Sequence, residues 1–365
     1  MNIKPIKIDT PKGTRLIGPG QPTFIVAEIS CNHQQNYAEA VRLVKAAAKA
    51  GADAVKFQTY TPDTITLNCD NPLFVIGGKD NPDSWQKLTF YSIYQKGYTP
   101  WEWLPKLKKL AKSLGLVFFT SVFDETAVDF NEKMGVPLYK VAAYEATHVP
   151  LLKKIASTGK PVIISIGFAS QKESQEAVET LRKAGAKEIA VLHCLTSYAA
   201  TPNSSTTHLA TIRDIENRFN VISGLSDNNG GIELPVMAVL SGGHIVEKHL
   251  NMRHGNKSFD DRFSIDPKEL AMMVKKIREA EKFLGTVHYG PNNDAEKHNR
   301  NFRRSIFVSQ AIKKGQKFTR QNIKVVRPAY GLHTKYFDKV LGKVASTDIQ
   351  FGDPLKFAHV VDLKK

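Results

Sequence analysis

The chain has 365 residues, 42% of them hydrophobic and 24% charged, a globular composition rather than a disordered one. Lys and Arg number 51 against 35 Asp and Glu, a formal charge of +16, which favours an anionic partner without choosing between substrate, nucleic acid and lipid headgroup. Three cysteines (Cys31, Cys69, Cys194) are too few for a disulfide framework and point to a reducing compartment, the cytoplasm. No apolar run approaches the ~18 residues needed to span a bilayer, and the opening MNIKPIKIDTPKG lacks the apolar core of a signal peptide. Secreted, membrane-spanning and collagen-like classes are thereby excluded. The basic residues are spread along the chain with no recognition module, so nucleic acid is not an expected partner.

From residue 24 onward, short Val- and Ile-rich runs alternate with amphipathic stretches. The runs are FIVAEIS (24–30), DAVKFQT (53–59), LVFFTS (116–121), LYKVAA (138–143), PVIISI (161–166), EIAVLHC (188–194), VISGLS (221–226) and HIVEKHL (244–250). Each has the length and composition of a buried strand. The intervening segments 38–52, 106–115 and 174–186 read as helices closed by glycine. Eight such units in about 260 residues predict a (β/α)8 TIM barrel in residues 1–285. No strand leads directly into GxGxxG, which argues against a dinucleotide-binding open sheet. The connection 60–104 is rich in aromatics (Trp85, Phe90, Tyr91, Tyr94, Tyr98, Trp101, Trp103), and it either covers a substrate or caps the barrel as an amphipathic helix. A polar stretch, 286–302, reads as a linker, and the Gly-punctuated strands from Arg303 to 365 read as a small second domain.

In a barrel the C-terminal strand ends form the active-site face. Those ends supply Glu28; Lys56 and Gln58; Ser121; Lys140 and Glu145; Ser165; His193; Ser226 and Asp227; and Glu247, Lys248 and His249. Lys56 and Lys140 sit inside apolar runs, so each either snorkels to the rim or neutralises an anion. Two lysines with the hydroxyls of Ser121, Ser165 and Ser226 suit a phosphate. Glu28 and Glu145 complete an acid–base set or pair with the lysines. His193 and His249 both end strands and are expected at the mouth, His193 either as a ligand or as a hydrogen-bonded structural group. His244 is five residues before His249 and so lies on the opposite face.

The segments FIVAEISCNH, AGADAVKFQTYTPDTITL, YKVAAYE, GKPVIIS, HCLTSY, GLSD, IVEKH and RPAYGLH, in that order from about residue 20, resemble the sialic acid synthase family. TYTPDTITL, TPWEW, FDETAVDF and YGLH are most similar to its pseudaminic branch. The resemblance implies a TIM barrel followed by an antifreeze-like (SAF) domain. It also implies condensation of phosphoenolpyruvate with an N-acetylated amino-sugar aldehyde, for this branch 2,4-diacetamido-2,4,6-trideoxy-L-altrose. The products would be a nine-carbon nonulosonic acid and phosphate. By position, Lys56, Ser121, Lys140, Ser165, Thr196 and Ser226 fall on phosphoenolpyruvate-binding positions. Glu28, Gln58, Tyr198 and Asp260 fall on sugar-binding ones, and Glu145 on a proton-transfer carboxylate; Glu28 and Lys56 join it in the catalytic set. His249 falls on a metal position, for Mn or Mg. Arg327 falls on an arginine that reaches a partner's site, which implies a domain-swapped homodimer. No organic cofactor is implied.

The family pattern GLSDH reads GLSDN here, so Asn228 stands at the other metal position. An amide oxygen is a weak ligand for such ions, and weak or absent metal binding is expected. Val122 (usually Pro), Ala143 (Ser), Ile166 (Thr), Leu195 (Thr) and Asn229-Gly230 (Thr-Leu) also depart from the pattern, and the lost hydroxyls are expected to weaken phosphoenolpyruvate binding at the mouth. Two further readings use the same residues: a synthase with an N-acetylneuraminate- or legionaminate-type acceptor, and a catalytically silent sugar-binding barrel.

Overall fold

A computed structural model describes residues 3–77 and 85–364. The chain divides into two compact units, Met1–Gly285 and Thr286–Lys365. The first opens with a hairpin, β1 (Ile6–Thr10) and β2 (Gly13–Ile17). Eight parallel strands follow: β3 (Phe24–Glu28), β4 (Ala54–Thr59), β5 (Val117–Val122), β6 (Tyr139–Val141), β7 (Val162–Ile166), β8 (Ile189–Leu195), β9 (Ile222–Asp227) and β10 (Ile245–His249). They pair in sequence order, and β10 closes onto β3, making a closed barrel. All eight predicted runs are these strands. The predicted helices form at Tyr37–Ala50, Leu104–Ser113 and Gln171–Lys183.

Strand alternation sorts every side chain inward or outward. Outward residues such as Ile25, Val55, Phe57 and Val246 pack on the helices Tyr37–Ala50 and Pro267–Leu284. Inward residues Phe24, Val26, Val117, Phe119, Ile163, Leu192 and Ile245 fill the lower barrel. Ile6, Ile8 and Ile17 of the hairpin join this cluster and plug the N-terminal end. The sequence reading missed this hairpin, although IKIDT alternates apolar and polar residues.

Residues 286–302 contain the helix Asp294–Asn299 and a short turn, Arg300–Phe302. The second unit then pairs β11 (Ser305–Val308) with β12 (Ile323–Val326) around Ile306, Ile312, Phe318, Val340 and Leu355. Among the described residues, no helix is long and apolar enough to cross a membrane.

Candidate active site

Above the apolar lower layers, the inward positions turn polar. Glu28 of β3, Lys56 and Gln58 of β4, Ser121 of β5, Lys140 of β6, Ser165 of β7, Cys194 of β8, Ser226 of β9, and Glu247 and His249 of β10 all line one cavity of about 510 Å3. They do so because each sits an even number of residues from an apolar inward neighbour on its strand.

The floor is a network of buried charges. Lys56 Nζ lies 2.5 Å from Glu28 Oε2 and 3.6 Å from Glu247 Oε1, and donates to Ser121 Oγ at 2.8 Å. Gln58 Nε2 donates to Glu28 Oε1 at 2.9 Å and to Ser30 Oγ at 3.0 Å. Lys140 Nζ donates to Ser165 Oγ at 2.8 Å and to the Val141 carbonyl at 3.1 Å, with Glu247 Oε1 3.7 Å away. Ser226 Oγ donates to Glu247 Oε1 at 3.1 Å. Neither lysine reaches the rim; both are essentially inaccessible to solvent.

The two ammonium groups differ. Burial pulls Lys56 down, but Glu247 and Glu28 outweigh it, and its pKa rises above the usual value. Lys140 is lowered because burial is only partly offset by Glu247. Lys140 is therefore the less compensated cation, and an arriving anion gains most there. Glu247 is held below the usual carboxylate range: burial opposes ionisation, and Lys140 and Lys56 overcome it.

Glu145 lies just beyond β6 on the short turn Ala143–Glu145. Burial raises its pKa to about 8, against the pull of Lys140, and its Oε2 has no hydrogen-bond partner. It is a mostly protonated acid at neutral pH, aimed into the cavity. The thiols of Cys31 and Cys194 are both pushed up by burial, Cys194 to about 11, so neither is an activated nucleophile.

Tyr198 takes a left-handed backbone (φ 48°) and its ring packs between Trp85 (5.3 Å) and Phe263 (5.1 Å). Phe263 in turn meets the His249 ring edge-on at 5.0 Å. His249 Nδ1 is 3.2 Å from Asp260 Oδ2.

One sequence-derived candidate, Thr196, does not line this cavity. Thr196 packs at the end of β8 beside Gly167, where an added Cβ would come within 2.6 Å of its Cγ2. Arg327 is an exposed residue of the second unit, following β12. His193 is also displaced from the expected mouth. It faces outward, with Nε2 2.8 Å from the Thr207 carbonyl oxygen.

Most of the departures from the family pattern lie elsewhere than expected. Val122 and Ile166 face outward into the helix-side core, as does Leu195. Each directly follows an inward Ser or Cys, so alternation turns it away from the mouth. Asn229 is bonded to Asp227 and Ser197, and Gly230 lies where an added Cβ would come within 2.1 Å of the Ala200 carbonyl oxygen. Of the six, only Ala143 lines the cavity, as does Asn228. Ser121, Ser165 and Ser226 still line the cavity, while residue 143 brings no hydroxyl to it.

Glu247 is the residue that the sequence reading left without a role. Its signal was the two-residue spacing from His249, which puts both on one face. Lys248, between them, faces out and forms a fully buried ion pair with Asp227 (2.7 Å), and also donates to the Asn229 carbonyl. That pair anchors the 228–230 loop at the mouth. Lys248→Met is expected to cost about 3–5 kcal/mol by leaving Asp227 buried and unpaired; denaturant unfolding measures it.

The donors near His249 do not fit a divalent ion. The set is one imidazole and the Asp260 carboxylate, while the Asn228 amide Nδ2 points at Cys194 Sγ (3.6 Å). Among the described residues, one group of three His, Cys, Asp or Glu has converging ligand atoms. It is the partly exposed His254, Asp266 and Glu269, away from the cavity.

Buried lysines ringed by hydroxyls and carboxylates at the C-terminal mouth of a closed parallel barrel define an enzyme that takes an anionic substrate. The chain belongs to the NeuB family, whose model matches residues 43–289, and an SAF-domain model matches residues 303–361. It is 39% identical over 333 residues to the pseudaminic acid synthase of Campylobacter jejuni, covering 91% of this chain and 95% of that protein. Identity to the pseudaminic acid synthase of Helicobacter pylori is 36% over 335 residues, covering 92% and 97%. Identity to the N,N'-diacetyllegionaminic acid synthase of Legionella pneumophila is 30% over 352 residues, covering 95% and 97%. Among solved structures, the N-acetylneuraminic acid synthetase of Leptospira borgpetersenii superposes with a TM-score of 0.70 at 27% identity, covering 82% of this chain and 96% of that one. The spore coat polysaccharide biosynthesis protein SpsE of Bacillus subtilis gives 0.63 at 30% identity, covering 96% and 98%.

Proposed function

We propose that this chain catalyses pseudaminic acid synthesis: phosphoenolpyruvate condenses with 2,4-diacetamido-2,4,6-trideoxy-L-altrose and water to give the nine-carbon acid and phosphate. The observation that carries the reading is the pair of buried lysines, each bonded to a serine hydroxyl, beside a neutral Glu145 in one cavity. Identity is also higher to the two pseudaminic acid synthases than to the legionaminic one.

Lys140, Ser165, Ser226 and Ser121 hold the phosphate and carboxylate of phosphoenolpyruvate. Lys56, fixed by Glu28 and Glu247, keeps the floor ordered and dry. C3 of the enol attacks the aldehyde carbon, and the protonated Glu145 delivers its proton to the forming alkoxide. Water adds at C2, and the C–O bond to phosphate breaks from the tetrahedral intermediate. Gln58, Tyr198 and Asp260 orient the sugar. In a domain-swapped homodimer, Arg327 adds a positive charge to the mouth of a second copy. The three free cysteines suit a cytoplasmic enzyme.

Phosphate release from phosphoenolpyruvate with this acceptor, and mass spectrometry of the product, test the reading. Absence of a nine-carbon acid, while a related synthase works in parallel, rejects it. Because the donors around His249 do not converge, turnover is expected to survive excess chelator, and calorimetry with Mn2+ to give no tight site. Complete loss of activity in chelator, restored by Mn2+, would be the contrary result.

A further inference from the structure

The cavity is divided by chemistry. Its floor is charged, but the described parts of the 60–97 connection, residues 60–77 and 85–97, bring apolar side chains to one side: Ile65, Ile76, Phe90 and Ile93 line it, with Tyr94 and Phe123 beside them. These side chains belong to none of the barrel's hydrophobic cores, which close without them. They present apolar surface to the cavity.

The wall is held firmly. Ile76 is bonded on both its backbone groups, its N–H donating to the Leu88 carbonyl at 2.8 Å and its carbonyl accepting from Lys87 N–H at 3.3 Å. The helix Phe90–Gly97 ends at the mouth with Gly97 in close approach. A Cβ there would lie 3.3 Å from Cys31 Cβ and 3.4 Å from Tyr60 Oη. Tyr60 meets Tyr94 at 5.4 Å and Phe123 at 5.2 Å, which ties the wall to strands β4 and β5.

We propose that this wall is the acceptor-specificity element. The methyl groups of a diacetamido, deoxy sugar pack on Ile65, Ile76, Phe90 and Ile93 while its aldehyde end reaches the Lys140–Glu247 floor. The inference rests on the synthase reading above and adds the residues that choose the sugar. The side chains of these four residues carry no hydrogen-bonding atom, so a hydroxyl-rich sugar placed against them loses its bonds to water without replacement. A methyl group there loses nothing. A pocket of this kind discriminates by about 10-fold or more for each methyl contact.

The test compares the full-length protein with Ile93→Asn and Ile93→Ala, using the diacetamido-trideoxy-altrose acceptor and N-acetylmannosamine. The Ile93→Asn variant is expected to lose at least about 10-fold in kcat/KM for the diacetamido sugar, with a smaller loss for Ile93→Ala. The Kd for phosphoenolpyruvate should stay unchanged in both, which also shows that they fold. Relative preference should move towards N-acetylmannosamine. If wild type prefers the diacetamido sugar and both variants keep that preference, the wall assignment fails and the synthase reading stands. Wild type that is inactive with both sugars, or prefers N-acetylmannosamine, overturns the parent reading and the wall assignment with it.

Discussion

Replacing Lys140 by methionine is expected to lower kcat/KM for phosphoenolpyruvate by about 30- to 5000-fold, the equivalent of roughly 2–5 kcal/mol for truncating a buried charged partner. The argument is one of compensation. Lys56 already faces two carboxylates, at 2.5 and 3.6 Å. Lys140 has only Glu247, at 3.7 Å, and its other partners are a hydroxyl and a carbonyl. Its charge is the one left to meet a phosphate. Methionine keeps the length and apolar stem, so the barrel should still close, and circular dichroism checks this. The loss should fall on phosphoenolpyruvate binding, with little change in KM for the sugar. Unchanged phosphoenolpyruvate affinity in a folded Lys140→Met variant would remove Lys140 from the anion site.

The second large effect is a pH limb with a chemical origin. Burial lifts Glu145 from the ordinary 4.5 to about 8, so it holds its proton at neutral pH and sheds it as pH rises through that value. If that proton goes to the alkoxide, kcat/KM is level below about pH 7 and falls roughly tenfold per unit above about 8. Glu145→Gln keeps the shape and loses the proton donor. It should reduce kcat by about 10²–10⁴-fold and abolish the alkaline limb. Stability supplies an independent sign. The folded chain holds a proton that the unfolded chain releases near 4.5. This carboxyl therefore costs stability progressively between about 4.5 and 8, and no further above. Glu145→Gln should then gain relative to wild type at pH 9 but not at pH 4, read by denaturant midpoints. An alkaline limb that survives in Glu145→Gln would assign it to another group.

Much of the site could be read from the sequence because a strand has period two. Once FIVAEIS, DAVKFQT and LYKVAA are strands, Glu28, Lys56 and Lys140 share the inner face with Val26, Ala54 and Leu138. The same rule, applied strictly, separates Glu247 and His249 from Lys248, and Ser165 from Ile166. Reading strand ends as a block blurred it. Taken together, the strand ends conceal Glu247 beside Lys248, place His193 at the mouth, and bring the departures at Val122, Ile166 and Leu195 to the mouth with them. Alternation sends all four away from the cavity, three of them into the helix-side cores and His193 to the Thr207 carbonyl.

The eight-fold strand–helix order, the polar inner layer at the strand ends and the family are all legible in the sequence. These follow from local periodicity and from motifs contiguous in the chain. Which charges compensate one another, that Glu145 is neutral while Glu247 is ionised, and that Ile65, Ile76, Phe90 and Ile93 face the cavity all emerge only on folding. The β1–β2 hairpin plug and the buried Asp227–Lys248 pair are of the same kind. All depend on distances between residues far apart in sequence and on exclusion of water. A pKa or a specificity wall is set by what surrounds a side chain, and closing the barrel is what creates those surroundings.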